Sequence, residues 1–198
     1  RSTLFPYTTL FRSGRRSSTD LPQEPVAQAS ATDAFHTRYP RYSTDGLCLG
    51  ERPMEYQFYG WEHADMPPTD PRYTRIKTPR DLYDLLSGLW CAKTCAPRLR
   101  EQWSAEDKTL GQCSITAFLA QDIFGGRVFG ILRPGGNFHC YNVVDGRAFD
   151  LTSEQFSDCT LDYAENPEQF REVHFAADEK RLRYELLKAR LDATLGLG

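Results

Sequence analysis

The stretch "KTLGQCSITAFLAQDIFGG", residues 108–126, decides the fold, because a cysteine in it directly precedes a run with helical periodicity. The apolar residues after this cysteine recur at spacings of three and four, which predicts a helix over residues 113–123. They are Ile115, Phe118, Leu119 and Ile123. The glycine pair that follows predicts the end of this helix. Cys113 therefore occupies the first turn, where it serves either as a small apolar packing residue or as a nucleophile.

The segments on either side of this helix predict an α+β fold. Residues 78–97, "TPRDLYDLLSGLWCAKTCAP", indicate a helix that is capped by Thr78 and runs to about Cys95. After residue 126 the period becomes that of strands in three short segments, "RVFGIL", "NFHCYNVV" and "RAFDLT". A last helix is predicted over residues 176–194. Helices, antiparallel strands and a final helix are typical of α+β domains rather than of alternating βαβ units.

The first 53 residues differ in character from the rest of the chain. Residues 1–13, "RSTLFPYTTLFRS", back-translate codon by codon into a widely used sequencing adaptor, so we interpret them as an adaptor-derived artefact. Residues 14–53 are rich in Ser, Thr, Pro and Gly and have no sustained period, which predicts a disordered or spurious leader. The first methionine is Met54. We therefore predict a single domain over residues 54–198.

The composition is that of a globular domain, with 40% hydrophobic residues and a formal net charge of −3. A chain of this charge without a long basic run is not expected to bind nucleic acid. No apolar stretch approaches the roughly 18 residues that span a bilayer, so no membrane association is expected. The six cysteines lack the paired spacing of a metal site or a redox CxxC motif. We predict reduced thiols in a cytoplasmic protein that uses neither a metal ion nor another cofactor.

The predicted hairpin brings a histidine and an acid together. Asp145 and Gly146 form a strong two-residue turn signal between the second and third strand segments. If these residues form the loop, pairing outward sets Tyr141 opposite Asp150. His139 and Asp150 then share one face of the sheet as diagonal neighbours, at roughly 7–8 Å between Cα atoms. A carboxylate and an imidazole can bridge that gap.

Cys113, His139 and Asp150 are therefore candidates for a catalytic triad. A thiol at a helix N-terminus is close to unpaired N–H groups and to the positive end of the helix dipole, which favour the thiolate. An imidazole beside it stabilises the thiolate and later protonates the leaving group, while an acid fixes the imidazole tautomer. The backbone N–H of Cys113 and the Gln112 side chain are the predicted oxyanion donors. Two aromatic residues are predicted to line the substrate site, Trp103 and Tyr141.

Each candidate also has a structural interpretation. A lone cysteine at a helix start more often packs than reacts, and a lone strand histidine is more often a satisfied structural residue. Asp150 can simply cap a turn. His174, in "REVHF", is expected on a short strand whose buried face the pattern does not fix. The functional interpretation is favoured by the joint pattern, in which Gly-Gln-Cys opens a helix and a histidine and an acid follow on facing strands.

The same residues resemble known protein families. "GQCSITA", "HCYN" and "DGRAFDLT" resemble the transglutaminase-like and papain-like thiol enzymes. The longer stretch from residue 82 to 193 resembles the YunG-like family of small uncharacterised, mainly bacterial proteins. The resemblance implies a papain-like α+β core, in which a helix bearing Cys113 packs on a small antiparallel sheet bearing His139 and Asp150. The resemblance also implies that Cys113 is the nucleophile, His139 the base and Asp150 the orienting acid, but it names no substrate.

We expect a cysteine-dependent enzyme that acts on an acyl group through a thioester on Cys113. Whether water or an amine resolves the thioester decides between an amide hydrolase, a deamidase and a transglutaminase-type enzyme, and the sequence leaves this open. The expected substrate is a peptide, a protein or a small amide. Two other classes remain open. One is a non-catalytic binding module on a papain-like frame, and the other, based only on the remaining cysteines, is a thiol redox or metal protein.

Overall fold

The computed structural model describes residues 56–156 and 159–197. They belong to the second of two units into which the chain divides, Arg1–Glu51 and Arg52–Gly198. The predicted adaptor-derived segment, the predicted leader and the predicted start at Met54 lie outside the described residues. In the part of the chain that is described, no helix combines the length and the apolar character that crossing a membrane requires.

Helix α1 comprises Pro79–Ser87 and begins where the sequence predicts. The Thr78 hydroxyl accepts a hydrogen bond from the Asp81 N–H, and the Asp81 carboxylate accepts one from the Thr78 N–H at 3.0 Å. This reciprocal capping box satisfies backbone donors that the first turn of a helix leaves unpaired. The face that α1 turns to the core consists of Leu82, Tyr83 and Leu86.

The predicted extension of α1 to Cys95 is wrong, because the helix ends at Ser87 and Gly88 caps it. Gly88 is a poor helix former, and Thr94 stabilises a different structure further along the chain. Its hydroxyl accepts a hydrogen bond from the Cys91 N–H at 3.0 Å and donates one to the Cys91 carbonyl at 2.9 Å. A threonine side chain that binds nearby backbone in this way competes with helix formation, so residues 91–95 form a separate turn.

Helix α2 comprises Cys113–Phe124 and is the central element of the fold. The apolar residues that predict this helix are all fully buried, namely Ile115, Phe118, Leu119 and Ile123. Residues on its other faces are buried as well, which identifies α2 as a core helix rather than a surface helix. It ends at Gly125, whose φ of 73° favours glycine.

A four-stranded antiparallel sheet covers α2, so the fold is a mixed α+β one. The strands are β1 (Arg127–Leu132), β2 (Phe138–Val144), β3 (Arg147–Phe149) and β4 (Glu168–Gln169). Their order in the sheet is β3-β2-β1-β4. The first two strands match the predicted segments, but the third predicted segment, residues 147–152, forms a strand only over its first three residues, so the expectation that Asp150 lies on that strand is wrong. The sequence does not predict β4, since two residues are too few to show a period.

The turn between β2 and β3 has the predicted register. Asp145 and Gly146 have φ values of 50° and 75°, as a type I′ turn requires, and Val144 lies opposite Arg147. On β2, the Asn142 side chain donates a hydrogen bond to a carbonyl of α2 at 2.8 Å. Alternation along the strand therefore puts Asn142 on the helix-facing side and His139 on the other side.

Asp150 directly follows the end of β3 and pairs with a different segment. It forms an isolated antiparallel bridge with Tyr59, in which the Asp150 N–H donates to the Tyr59 carbonyl at 3.0 Å. The Tyr59 ring stacks on Tyr163 with 3.6 Å between ring centroids. Two irregular segments thus fix the backbone of Asp150 beyond the end of the strand.

Two helices close the fold, α3 (Arg171–Phe175) and α4 (Asp178–Leu195). The segment "REVHF" is therefore helical, and the expected strand at His174 is wrong. Tyr184, Leu187, Leu191 and Leu195 form the buried face of α4. The Asp122 carboxylate on α2 joins both helices to the core, since it binds Arg171 and Tyr184.

Candidate functional site

A tight turn before α2 presents Cys113 at the start of the helix. Gly111 has a φ of 67°, a conformation that favours glycine. A Cβ atom at this position would lie 2.8 Å from the Cys95 sulfur and 3.0 Å from the Ala96 nitrogen. The Gly111 carbonyl accepts a hydrogen bond from that Ala96 N–H at 3.0 Å. The glycine of the Gly-Gln-Cys sequence is therefore needed for both its backbone angle and its small size.

His139 on β2 and Asp150 beyond β3 form a buried pair. The distance between His139 Nε2 and Asp150 Oδ2 is 2.5 Å, and both residues are 1% exposed. The Thr152 N–H and hydroxyl donate to the other carboxylate oxygen at 3.0 and 3.1 Å. Tyr163 donates its hydroxyl to Oδ2 at 2.9 Å. A carboxylate with this many donors is held in one orientation, and it fixes the orientation of the imidazole.

The Cys113 thiol lies close enough to His139 for each group to shift the pKa of the other. His139 Nδ1 has no hydrogen-bond partner among the described residues, and His139 and Cys113 line the same cleft. Strand β1 pairs with β2 at Cys140, but β3 ends at Phe149 and leaves the other edge of β2 open there, where the Cys140 N–H binds Cys113. The structure thus brings together the three residues that the sequence proposes as a triad.

The charges in this group favour an ion pair. Burial alone would raise the pKa of the Cys113 thiol, but the His139 imidazole and the Cys140 N–H outweigh burial and lower this pKa below its ordinary value. Burial would likewise lower the pKa of His139, but Asp150 and Cys113 raise it to about 10. At neutral pH these opposite shifts favour a thiolate next to an imidazolium, which is the reactive form of a cysteine nucleophile.

An open cleft of about 570 Å³ gives access to Cys113. The loop after β1 contributes Arg133 and Asn137 to its lining, and α3 and α4 contribute His174 and Lys180. Phe156 also lines the cleft and lies edge-on to the His139 ring, with 4.6 Å between ring centroids. A volume of this order suits a short peptide segment or a small organic molecule.

Three residues predicted to support the site lie elsewhere, because none of them lines this cleft. The Gln112 side chain is fully buried and donates to the Cys91 carbonyl at 3.2 Å, so it is directed away from the cleft. The Trp103 indole N–H donates to the Lys108 carbonyl at 3.0 Å. Tyr141 is buried and donates its hydroxyl to a loop carbonyl.

Sequence reasoning missed several residues that contact the triad or the cleft. Tyr163 contacts Asp150 from a loop without any period, and Lys180 enters the cleft from the first turn of α4. His174 is buried on a five-residue helix rather than on the expected strand. No local sequence signal marks these residues, since their positions depend on long-range packing.

The chain was compared with known proteins. The model of the family described as "YunG protein" matches residues 78–196, a range that contains all three triad candidates. "Uncharacterized protein YunG" of Bacillus subtilis (strain 168) is 34% identical over 83 residues, which are 42% of this chain and 70% of that protein. No solved structure matches the chain significantly. The match to the family model and the similarity to the Bacillus subtilis protein both agree with the resemblance seen in the sequence, so the chain belongs to the YunG family.

Proposed function

We propose that the chain is a cysteine-dependent acyl-transfer enzyme, with Cys113 as nucleophile, His139 as acid and base, and Asp150 as orienting acid. The observation that carries this proposal is that Asp150 binds His139, while His139 and Cys113 line one cleft and shift each other's pKa. Asp150 Oδ2 binds His139 Nε2 at 2.5 Å, and the remaining ring nitrogen has no partner and is available to the thiol of Cys113. A structural role for a histidine does not require a free buried nitrogen beside a cysteine.

The first half of the reaction transfers the acyl group to the enzyme. The Cys113 thiolate attacks the carbonyl carbon of an amide, and a C–S bond forms as the carbonyl oxygen takes the negative charge. When the tetrahedral intermediate collapses, the C–N bond breaks and the His139 imidazolium gives its proton to the leaving nitrogen. An amine departs, and a thioester on Cys113 remains next to a neutral imidazole.

The second half regenerates the enzyme. Neutral His139 takes a proton from water or from an amine, which attacks the thioester carbonyl. The C–S bond breaks, and the thiolate and imidazolium are restored. Water gives an amide hydrolase or deamidase, and an amine gives a transglutaminase-type reaction. The substrate in either case is a peptide, a protein or a small amide that enters the cleft.

Backbone donors are the proposed oxyanion hole. Cys113 is the first residue of α2, and the first N–H groups of a helix have no partner within the helix. The Cys113 N–H replaces the donor pair proposed from the sequence, since the Gln112 side chain is engaged with Cys91. Loss of one such donor typically costs about 10²–10³ in rate.

The arrangement also supports a papain-like core as the finer description of the fold. A helix presents the thiol, and an antiparallel sheet that packs on this helix presents the histidine, with the acid just beyond the neighbouring strand. We place the activity in the cytoplasm, because free thiols persist most readily in a reducing compartment and the described cysteines all carry free thiols.

Activity-based profiling tests the proposal. Wild type and Cys113→Ala are treated with an ester probe, an amide probe and a glutamine-donor probe, and adducts are located by mass spectrometry. We expect an adduct on Cys113 with at least one probe, and the probe that reacts identifies the reaction class. Cys91→Ala is the matched control, because it removes a half-buried thiol outside the cleft and should leave the adduct unchanged. A non-catalytic binding module would give no adduct with any probe.

A further inference from the structure

The cleft beside Cys113 is positively charged. Its described lining includes four basic residues and neither Asp nor Glu. The basic residues are Arg98, Arg133, Lys180 and Arg183. Arg183 is engaged by Glu179 and by the carbonyls of Thr94 and Gly111. Lys180 has no carboxylate partner in the described part of the chain, where its side chain binds only His174. A concave surface with uncompensated cations attracts anions.

Lys180 is held in a defined position by a neutral histidine. Its Nζ lies 3.2 Å from His174 Nδ1, and His174 Nε2 lies 3.0 Å from Gln169 Oε1. An ammonium group only donates and a carbonyl oxygen only accepts, so Nδ1 accepts from Lys180 and Nε2 donates to Gln169. One ammonium hydrogen is used in this contact. The other two are available to a ligand, as no further acceptor contacts Lys180 Nζ among the described residues.

Gln169, which binds His174, is itself held in one orientation. Gln169 donates from its Nε2 to the Pro167 carbonyl at 3.2 Å, which leaves its Oε1 for the histidine. A Cβ at Gly130 on β1 would lie 2.8 Å from the Gln169 side chain, so only a glycine leaves room for this arrangement. A continuous row of hydrogen bonds therefore joins Pro167, Gln169, His174 and Lys180, and Lys180 lines the same cleft as Arg133.

The position of Lys180 along the chain argues against a role in helix stability. It lies in the first turn of α4, next to Asp178 and Glu179. A cation there is unfavourable, because the helix dipole is positive at the N-terminus, whereas the two acids are favourable. Lys180 nevertheless turns away from these acids towards His174. Its charge is felt near the candidate site, because it acts to lower the pKa of Cys140, the neighbour of His139, although burial and Cys113 have larger effects and raise this pKa overall.

We propose that Lys180 binds a carboxylate of the substrate, so that the enzyme acts on acyl compounds that carry an anionic group within reach of Cys113. This inference rests on the proposed function, because it assigns a substrate class to the same cleft. Lys180 is then a specificity residue, and His174 and Gln169 are positioning residues that act through it.

Two small alkylating reagents test the inference. Iodoacetate and iodoacetamide have similar size and the same leaving group, but only iodoacetate carries a carboxylate. The rate of Cys113 alkylation by each reagent is measured by mass spectrometry near neutral pH in about 0.15 M salt, where charges beyond roughly 8 Å are screened. The ratio of the iodoacetate rate to the iodoacetamide rate is used, because a change in the fraction of Cys113 present as thiolate affects both rates equally.

We expect Lys180→Met to lower this ratio by about tenfold, mainly through a slower reaction with iodoacetate, and Lys180→Arg to retain it. Lys77→Met is the matched control, since it removes the same charge from an exposed position outside the cleft and should keep the wild-type ratio. A second measurement uses only the wild type. Succinate should slow alkylation of Cys113 by iodoacetamide, and its neutral diamide should not.

The outcomes separate the two proposals. If Cys113 is alkylated by iodoacetamide but the ratio is the same in Lys180→Met and succinate gives no protection, the anionic substrate class is overturned and the enzyme proposal stands. If Cys113 resists both reagents in the wild type, the proposed function fails and the substrate class fails with it. If Lys180→Met does not fold, protection of the wild type by succinate decides alone.

Discussion

His139 Nε2 lies 2.5 Å from Asp150 Oδ2, and water is excluded from both side chains, which are 1% exposed. This contact determines which ring nitrogen is left for Cys113. Because Nε2 is bound to the carboxylate, Nδ1 is the nitrogen that can exchange a proton with the thiol. The same carboxylate raises the pKa of His139 to about 10, which keeps the imidazole protonated beside the sulfur.

Asp150→Asn should therefore lower the reactivity of Cys113 more than it disturbs the fold. An amide oxygen still accepts one hydrogen bond, but without the negative charge the pKa of His139 should fall towards its ordinary value of about 6.5. We expect alkylation of Cys113 by iodoacetamide near pH 7 to slow by about tenfold. Asp145→Asn makes the same change in an exposed hairpin turn, where Asn is well tolerated, and should have no effect. Equal rates in Asp150→Asn and wild type would contradict the role given to the carboxylate.

Tyr163→Phe removes one of the donors to the Asp150 carboxylate and adds no bulk. The loss of one such hydrogen bond should lower the free energy of unfolding by about 1 kcal/mol, as measured by urea denaturation. It should also slow Cys113 alkylation, because the acid is less well fixed. Tyr56→Phe removes a comparable hydroxyl-to-carboxylate bond at Asp84, outside the cleft. This control should lose similar stability while Cys113 reacts at the wild-type rate.

Gly111→Ala should disrupt the turn that presents Cys113. The added methyl group would lie 2.8 Å from the Cys95 sulfur, and φ at this position is 67°. Gly136 has a φ of 79° but no atom within 4 Å of an added Cβ, so Gly136→Ala measures the backbone cost alone. We expect about 1–2 kcal/mol of destabilisation for Gly136→Ala and a larger loss for Gly111→Ala. Similar losses for the two variants would show that the close contact at Gly111 is unimportant.

The ion pair gives stability a characteristic pH dependence. The raised pKa of His139, about 10 against roughly 6.5 when unfolded, contributes stability that is complete below pH 6.5 and lost as the pH rises through 10. The lowered pKa of Cys113 contributes stability that is present above about pH 8.5 and lost as the pH falls through the lowered value. Between the lowered pKa of Cys113 and about pH 8.5, the stability lost through His139 and the stability gained through Cys113 oppose each other as the pH rises. Above about pH 8.5, of these two contributions only that of His139 still changes with pH, so the free energy of unfolding should fall.

Urea denaturation at about pH 7, 8.5 and 10 in Cys113→Ala and in the double variant Cys113→Ala/His139→Gln measures the His139 contribution, because the Cys113 thiol, whose lowered pKa depends on His139, is absent from both proteins. The raised pKa values of Cys95 and Cys140 also reduce stability at alkaline pH, but they do so in both proteins. The difference in unfolding free energy between these two proteins should therefore shrink between about pH 8.5 and 10. A difference that is constant across this range would mean that His139 is not held protonated.

The sequence predicts the elements that carry the triad because local rules determine them. Apolar spacing of three and four residues defines α2 after Cys113, and the Asp145-Gly146 turn sets the register of the hairpin. This register places His139 and Asp150 on one face, and the structure brings their side chains into contact. The helix predicted to reach Cys95 ends instead at Ser87, because Gly88 is a poor helix former and the Thr94 hydroxyl binds the Cys91 backbone in a separate turn.

The surroundings of the triad depend on contacts between residues that are distant in the sequence. Tyr163 and Lys180 reach the site from a loop and from a helix terminus, and neither position shows a periodic signal. Gln112 illustrates the opposite error. Its place next to Cys113 in the sequence suggests an oxyanion donor, but the backbone turns its side chain towards the buried Cys91 carbonyl.

The most direct test of the central claim is the pH dependence of Cys113 alkylation by iodoacetamide in wild type and His139→Ala. Cys91 is an internal control, since its pKa is also lowered, but by the Thr94 backbone and hydroxyl rather than by a histidine. We expect Cys113 of the wild type to react well below pH 8, and this reactivity should disappear in His139→Ala while Cys91 is unchanged. A Cys113 that reacts only above about pH 8.5 in the wild type, with the same profile in His139→Ala, would contradict the account.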